Sequence, residues 1–370
     1  MSIKTAYTTE KLTGKAVDAI KASFSEEKLK ALIYFASSSY GADELAAAMQ
    51  QAFDAVPVFG CTTAGEIVSG KMLDNSIVAM ALGSDVIDDI SITVAEKVST
   101  GDKTTIQHAF SSFEKYFNTA MPTLDFTKYV GIILTDGMSG AEERLMEWIG
   151  DLTNVTFVGG SAGDDLAFNK TYLFAHGKAY TDAALLVLIQ SARTFDIVKT
   201  QSFKILDRTL TATKVDEQNR EVLEFDNRPA VDAYAEAVGV PVAEVTDYFM
   251  KYPLGLVIDG EPYVRSPQQV KNEGIVFYCQ ILEGMELSLL ESGDIVGDTK
   301  VALEEKEKEL GSLSGILNFH CILRTLELKE EGKTDAYGTV FSHTPTIGFS
   351  TYGEEYLGHI NQTSTMLVFR

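Results

Sequence analysis

The sequence has few cysteines, few basic residues and no long apolar run. Its three cysteines, Cys61, Cys279 and Cys321, are scattered over 370 residues. An odd number without paired spacing argues against a disulfide scaffold or a cysteine zinc site and suits a reducing cytoplasm. Lys and Arg number 31 against 53 Asp and Glu, a formal net charge of -22. A surface of that sign repels nucleic acid and anionic membranes and favours solubility. It accommodates cationic or zwitterionic ligands more easily. The longest apolar run, Ala183-Ala-Leu-Leu-Val-Leu-Ile189, falls far short of the ~20 residues a membrane helix needs and reads as a buried strand. Met1 to Glu10 carry no apolar core of a secretory leader.

Catalytic signatures are missing as well. No Gly-Lys-Ser/Thr closes a phosphate loop, and the dinucleotide fingerprint is absent. The five histidines, His108, His176, His320, His343 and His359, lie outside patterns such as Gly-x-Ser-x-Gly or His-Glu-x-x-His. The expectation is therefore a binding protein with no catalytic residue, cofactor or metal. The enzyme alternative needs a nucleophile on a glycine-rich turn, and Cys61 or Ser161 could supply it. Asp164 and Asp165 could bind a metal with Asp136, but acids at turns usually cap backbone N–H groups.

The composition is that of a globular chain, 45% hydrophobic and 23% charged. At this length two domains are expected. Periodicity in the first half alternates strands and helices. A strand at Leu32–Ala36 precedes a helix at Gly41–Phe53 with Leu45, Met49 and Phe53 on one stripe. A helix at Thr104–Phe117, a strand at Val130–Leu134 and a helix at Ala141–Leu152 follow. The second half is richer in strands, with a hairpin expected across Asp216–Asn219 and Asp298 as the N-cap of a helix at Thr299–Leu310. The fold class is thus α/β with mixed sheets, built from repeated strand-helix-strand-strand units in two domains.

The repeat is visible in residues. Gly41-Ala-Asp-Glu44 echoes Gly140-Ala-Glu-Glu143, and Gly60 of Val58-Phe-Gly-Cys-Thr-Thr-Ala-Gly-Glu66 matches Gly159 of Phe157-Val-Gly-Gly-Ser-Ala-Gly-Asp164. Both pairs share one offset, 99 residues (140 − 41 and 159 − 60). A third copy follows strand Ile316–Leu323, where Gly348, Gly353 and Glu354 match Gly60, Gly65 and Glu66. Each glycine-rich turn ends in an acid. Glycines let a ligand approach the backbone closely; hydroxyls and N–H groups hold an anion, and the acid holds a cation. The plain alternative is a tight strand connection that needs glycine for steric reasons.

These motifs, with Asn318-Phe-His-Cys-Ile-Leu-Arg324 and Asn361-Gln-Thr363, resemble the FIST family, a sensory module named for F-box and intracellular signal transduction proteins. The resemblance covers about Lys28 to Phe369 and implies a FIST N-terminal domain at 28–225 and a FIST C-terminal domain at 226–369. Ser161 stands where the family's pattern has a bulkier apolar residue. The resemblance further implies a cytoplasmic sensor for a small ligand such as an amino acid. Its signal would pass to a partner protein in trans. A ligand-free protein–protein adaptor is the other reading.

The candidate ligand-binding residues are Gly60, Cys61, Thr62, Thr63, Gly65, Glu66, Gly159, Gly160, Ser161, Asp164, Arg324 and Glu354. Strand alternation would put Leu317, Phe319, Cys321 and Leu323 in the core, and Asn318, His320, Ile322 and Arg324 on the other face. Arg324, with its planar fork, is the best candidate for a ligand carboxylate, and Arg265 a weaker one. A zwitterion would then sit in a common cleft, its carboxylate on Arg324 and the N–H groups of residues 60–63, its ammonium on Glu66 or Asp164.

Overall fold

The computed structural model describes residues 3–24 and 29–370; Lys28, where the resemblance begins, lies outside the described residues. The chain divides into two units. One comprises the chain up to Thr200, Thr299–His359 and Ser364–Arg370; the other comprises Gln201–Asp298 and Ile360–Thr363.

The first unit repeats one pattern three times. Repeat 1 runs β1 (Lys4–Thr8), α1 (Thr13–Ser23), β2 (Leu29–Ser37), α2 (Ala42–Ala52), β3 (Val58–Thr63), β4 (Glu66–Val68), β5 (Lys71–Leu73) and β6 (Ile77–Gly83). Repeat 2 runs β7 (Ile87–Glu96), α3 (Lys103–Phe117), β8 (Tyr129–Thr135), α4 (Glu142–Gly150), β9 (Phe157–Ser161), β10 (Leu173–Ala175), β11 (Lys178–Tyr180) and β12 (Ala183–Ser191). Repeat 3 opens with β13 (Phe195–Thr200) and is interrupted by the second unit. That unit holds β14 (Phe203–Asp216), β15 (Glu221–Phe225), β16 (Arg228–Pro229), α5 (Ala230–Val238), β17 (Leu254–Ile258), β18 (Glu261–Arg265), β19 (Pro267–Lys271), β20 (Gly274–Phe277) and β21 (Glu286–Ser292). The chain resumes through α6 (Ile295–Leu310), β22 (Gly315–Cys321), α7 (Ile322–Glu330), α8 (Thr334–Val340), β23 (Thr346–Thr351), β24 (Glu354–Tyr356), β25 (His359–Ile360) and β26 (Ser364–Phe369).

The strands form three sheets of corresponding order, β1-β6-β2-β3-β10-β11, β7-β12-β8-β9-β24-β25 and β13-β26-β22-β23-β4-β5, and the second unit forms a sheet of its own. In each, the first four strands come from one repeat and the terminal hairpin from another. The hairpin of repeat 1 completes the sheet of repeat 3, that of repeat 2 completes the first sheet, and that of repeat 3 completes the second.

Two-faced burial explains the apolar strands. Along β2, Ile33 and Phe35 join a core shared by all three sheets, with Ile132, Leu134, Phe319 and Phe349; Phe35 lies 4.5 Å from Phe349, centroid to centroid. The alternate residues Leu32, Tyr34 and Ala36 pack under α1 and α2, with Val17, Leu45 and Met49. Repeat 2 buries Ile106, Phe110 and Leu145 of α3 and α4 against Ile133 and Leu186 in the same way. Period-2 alternation with both faces covered gives the near-continuous hydrophobic runs of the sequence.

The aligned glycines have a steric cause. Gly60 pairs with Tyr34 on the parallel strand beside it, and Gly159 with Ile133. A Cβ on either would lie 1.6 Å from the carbonyl oxygen of that partner. No side chain fits there, so the glycine is required by strand packing.

Three local expectations change. The stretch expected as a glycine-rich turn is strand as far as Thr63, leaving only Ala64 and Gly65 at the bend. Asp298 lies in the first turn of α6 instead of capping it. The strand expected over 316–323 ends at Cys321, so Arg324 belongs to α7. The alternation that placed Arg324 beside His320 therefore does not apply.

Candidate functional site

The three bends meet. Ala64 N–H donates to Ser350 O (3.2 Å) and Ser350 N–H to Gly65 O (2.8 Å). Gly163 N–H donates to Thr62 O (3.0 Å), and Asp165 N–H to Thr63 O (3.0 Å). Ser161 N–H donates to Gly353 O (2.9 Å), and Tyr352 N–H to Ser161 O (3.1 Å). Each bend thus bonds the other two. The backbone groups around Gly60–Thr63 are taken up in the same way: Gly60 pairs on both sides with Tyr34 and Phe174, Cys61 pairs with Leu173, and Thr62 N–H reaches Tyr172 O. Gly65 turns the chain with φ at 127°, and a Cβ on Gly160 would press on Thr351 Cγ2 at 2.5 Å.

The acids of the bends are held within the fold. Glu66 is buried and accepts from the Thr63 hydroxyl, from Ser76 N–H (3.0 Å) and from Ser76 Oγ (2.6 Å). Burial outweighs these donors and pushes its carboxyl up to about 8. Glu354 accepts from Thr351 Oγ (2.8 Å), repeating the Thr-x-x-Glu contact of the first bend. Asp164 accepts from the N–H groups of Phe168 (2.9 Å), Asn169 (2.6 Å) and Lys170 (2.8 Å), and from the Tyr352 hydroxyl. It is a loop cap, as acids at turns commonly are.

Two buried acids escaped the sequence reading. Ser161 Oγ donates to Glu355 (2.8 Å) and lies 3.4 Å from Glu142, at the start of α4. Burial drives the Glu355 carboxyl well above its ordinary range; Ser161 opposes this, and Glu142 and Glu354 add to it. The Glu354-Glu355 doublet was the available signal: successive strand residues face opposite ways, so a doublet on an interior strand buries at least one acid. Cys61, the alternative nucleophile, is packed in the shared core, and burial pushes its thiol up. A thiol so placed is a poor nucleophile.

The helix side of repeat 3 is polar where repeats 1 and 2 are largely apolar. Strand register equates Asn318 with Tyr34 and Ile133, His320 with Ala36 and Thr135, and Ser364 with Ile77 and Ala184. Asn318, His320, Tyr337 and Ser364 are all fully buried. Ser364 Oγ donates to Asn318 Oδ1 (2.7 Å), Asn318 Nδ2 reaches Tyr337 Oη (3.3 Å), and Tyr337 Oη contacts His320 Nδ1 (2.9 Å). His320 Nε2 has no hydrogen-bond partner among the described residues.

Arg324 is 1% exposed. Its Nη2 donates to Thr299 Oγ1 (3.0 Å), while Nε and Nη1 have no partner among the described residues. Burial, followed by the charge of Arg324, drives the His320 imidazole well below its ordinary range and keeps it neutral. A buried guanidinium with most of its donors unfilled is costly and is suited to receiving an anion. Arg265 belongs to the second unit, and its Nη1 reaches Val264 O (3.3 Å).

The fold is a mixed α/β module of three hairpin-exchanging repeats. Residues 30–228 match the FIST N domain and residues 230–356 the FIST C domain. The chain belongs to the FIST family, whose domains are associated with sensing in signal transduction. Both matches are FIST domains and neither is an F-box, so the reading of the name through F-box proteins is withdrawn. An uncharacterized protein of Methanocaldococcus jannaschii is 24% identical over 310 residues, which cover 75% of this chain and 57% of that relative. No helix among the described residues is long and apolar enough to cross a membrane.

Proposed function

We propose that this chain is a non-catalytic sensor whose small ligand binds through a carboxylate to Arg324. The observation that carries the reading is the buried guanidinium whose Nε and Nη1 lack partners. Folding has desolvated a permanent positive charge and given it one neutral hydroxyl in return. A ligand carboxylate would supply the missing acceptors in bidentate fashion. An amino acid meets this requirement. The bends serve as the frame that fixes the three repeats, since their backbone N–H and carbonyl groups bond one another. The three free, buried cysteines are compatible with a cytoplasmic setting, where we place the sensor. We assign the output to a partner protein in trans.

Calorimetric titration with a panel of amino acids and simple carboxylates tests the reading. At least one member should bind the wild type, and Arg324→Met should weaken it by more than ~10-fold, the scale of losing a buried charged partner. A panel in which nothing binds sinks the carboxylate reading.

A further inference from the structure

We infer that a directed hydrogen-bond relay from Ser364 through Asn318 and Tyr337 sets the His320 proton on Nε2, so that His320 and Arg324 together offer only donors and select an ionised carboxylate over a cation. The inference rests on Arg324 being the ligand anchor and adds the chemistry that decides which ligands it accepts.

The direction follows from the distances. The 2.7 Å contact between Ser364 Oγ and Asn318 sits at the usual O–H···O length, and the 3.3 Å contact to Tyr337 Oη is too long for O–H···O and nearer the N–H···O range. The amide oxygen therefore faces Ser364 and the NH2 faces Tyr337. Tyr337 Oη accepts from Asn318, so its single proton is free to donate. His320 Nδ1, at 2.9 Å, is nearer than Ser364 Oγ, at 3.4 Å, and receives it. An imidazole that accepts at Nδ1 carries its proton on Nε2, and the positive charge of Arg324, four residues on, opposes a second proton. Nε2 is the ring nitrogen without a partner, as are Nε and Nη1 of Arg324. All three unfilled groups are then donors. A carboxylate satisfies them; an ammonium group would add donors to donors.

The opposite relay is chemically possible. With the Asn318 amide turned over, Tyr337 would donate to Asn318, Nδ1 would carry the ring proton, and Nε2 would be a bare acceptor.

Long-range ¹H–¹⁵N correlation NMR on the full chain without ligand reads the tautomer directly. The proton is expected on Nε2; a proton on Nδ1 overturns the relay whatever binds. Titration with sodium acetate and with ethylammonium chloride at matched ionic strength tests selection. Acetate should perturb the His320 ring and ethylammonium should not; the reverse overturns the donor-only site. Asn318→Asp makes position 318 an acceptor for Tyr337, so the tautomer should switch and acetate should bind about tenfold more weakly. Tyr337→Phe serves if that variant does not fold, and should leave His320 with mixed tautomers. Arg324→Met should abolish the acetate response while keeping the Nε2 tautomer, which separates failure of the anchor from failure of the relay.

Discussion

Ser161 donates a hydrogen bond to Glu355 across 2.8 Å, and the two residues come from different repeats. Glu355 lies on β24, the strand that repeat 3 lends to the sheet of repeat 2, opposite Gly159 in the antiparallel register. A buried acid thus helps to seat an exchanged hairpin. Because burial raises its carboxyl well above the ordinary range, the folded state holds that proton to higher pH than the unfolded chain does.

The sign of the resulting pH dependence is fixed. A carboxyl raised by folding stabilises fully below its unfolded value, and that contribution is lost as pH rises. Glu355→Gln retains an acceptor for Ser161 and cannot ionise. It should be more stable than the wild type at pH 8 and nearly equal at pH 4, as read from urea midpoints. A variant weaker at pH 8 would mean that Glu355 works as an anion.

Glu66 follows the same rule with a defined window, because its carboxyl is raised to about 8. Between about pH 5 and 8 the unfolded side chain is ionised and the folded one protonated, so stability should fall by about 1.4 kcal/mol per pH unit from this group. Glu66→Gln should remove that slope, which denaturant melts at four pH values would reveal. An unchanged slope would count against the assignment.

Gly60→Ala and Gly159→Ala should destabilise strongly, by about 3 kcal/mol or more, since each Cβ meets a paired carbonyl oxygen. Gly14, in α1, has open space around it. Gly14→Ala should therefore stabilise by about 0.5–1 kcal/mol. Thermal melts of the three variants suffice. Mild effects at Gly60 and Gly159 would return those glycines to a ligand-approach role.

Much of this frame is legible in the sequence. The shared offset of Gly41 and Gly60 with Gly140 and Gly159 marks two repeats; at Gly60 and Gly159 packing constrains the same strand position in each. Gly348 marks the third. The exchange of hairpins is not legible: β4, β10 and β24 are three residues long, and no local pattern in so short a strand names its partner. Strand β13 is cut off from β22 by the second unit, which hides the opening of repeat 3. The division near Asp226 remains a proposal about the family's two halves, which the compact units cross. Arg324 is legible by its chemistry, but its element, α7, is not. Alternation of Leu317, Phe319, Cys321 and Leu323 runs past the true strand end, and a short apolar run satisfies strand and helix periods alike. Glu142 stands in the first turn of α4, a place acids favour electrostatically without needing burial; that it is buried shows only in three dimensions.

The central claim is that Arg324 serves a ligand and not the fold. Paired measurements on Arg324→Met, ligand affinity by calorimetry and melting of the ligand-free protein, test it most directly. Removing an uncompensated buried charge should leave the ligand-free melting temperature unchanged or raised, while affinity for the bound carboxylate falls by more than ~10-fold. A ligand-free protein that melts far lower, with affinity in the folded fraction intact, would make Arg324 structural and contradict the account.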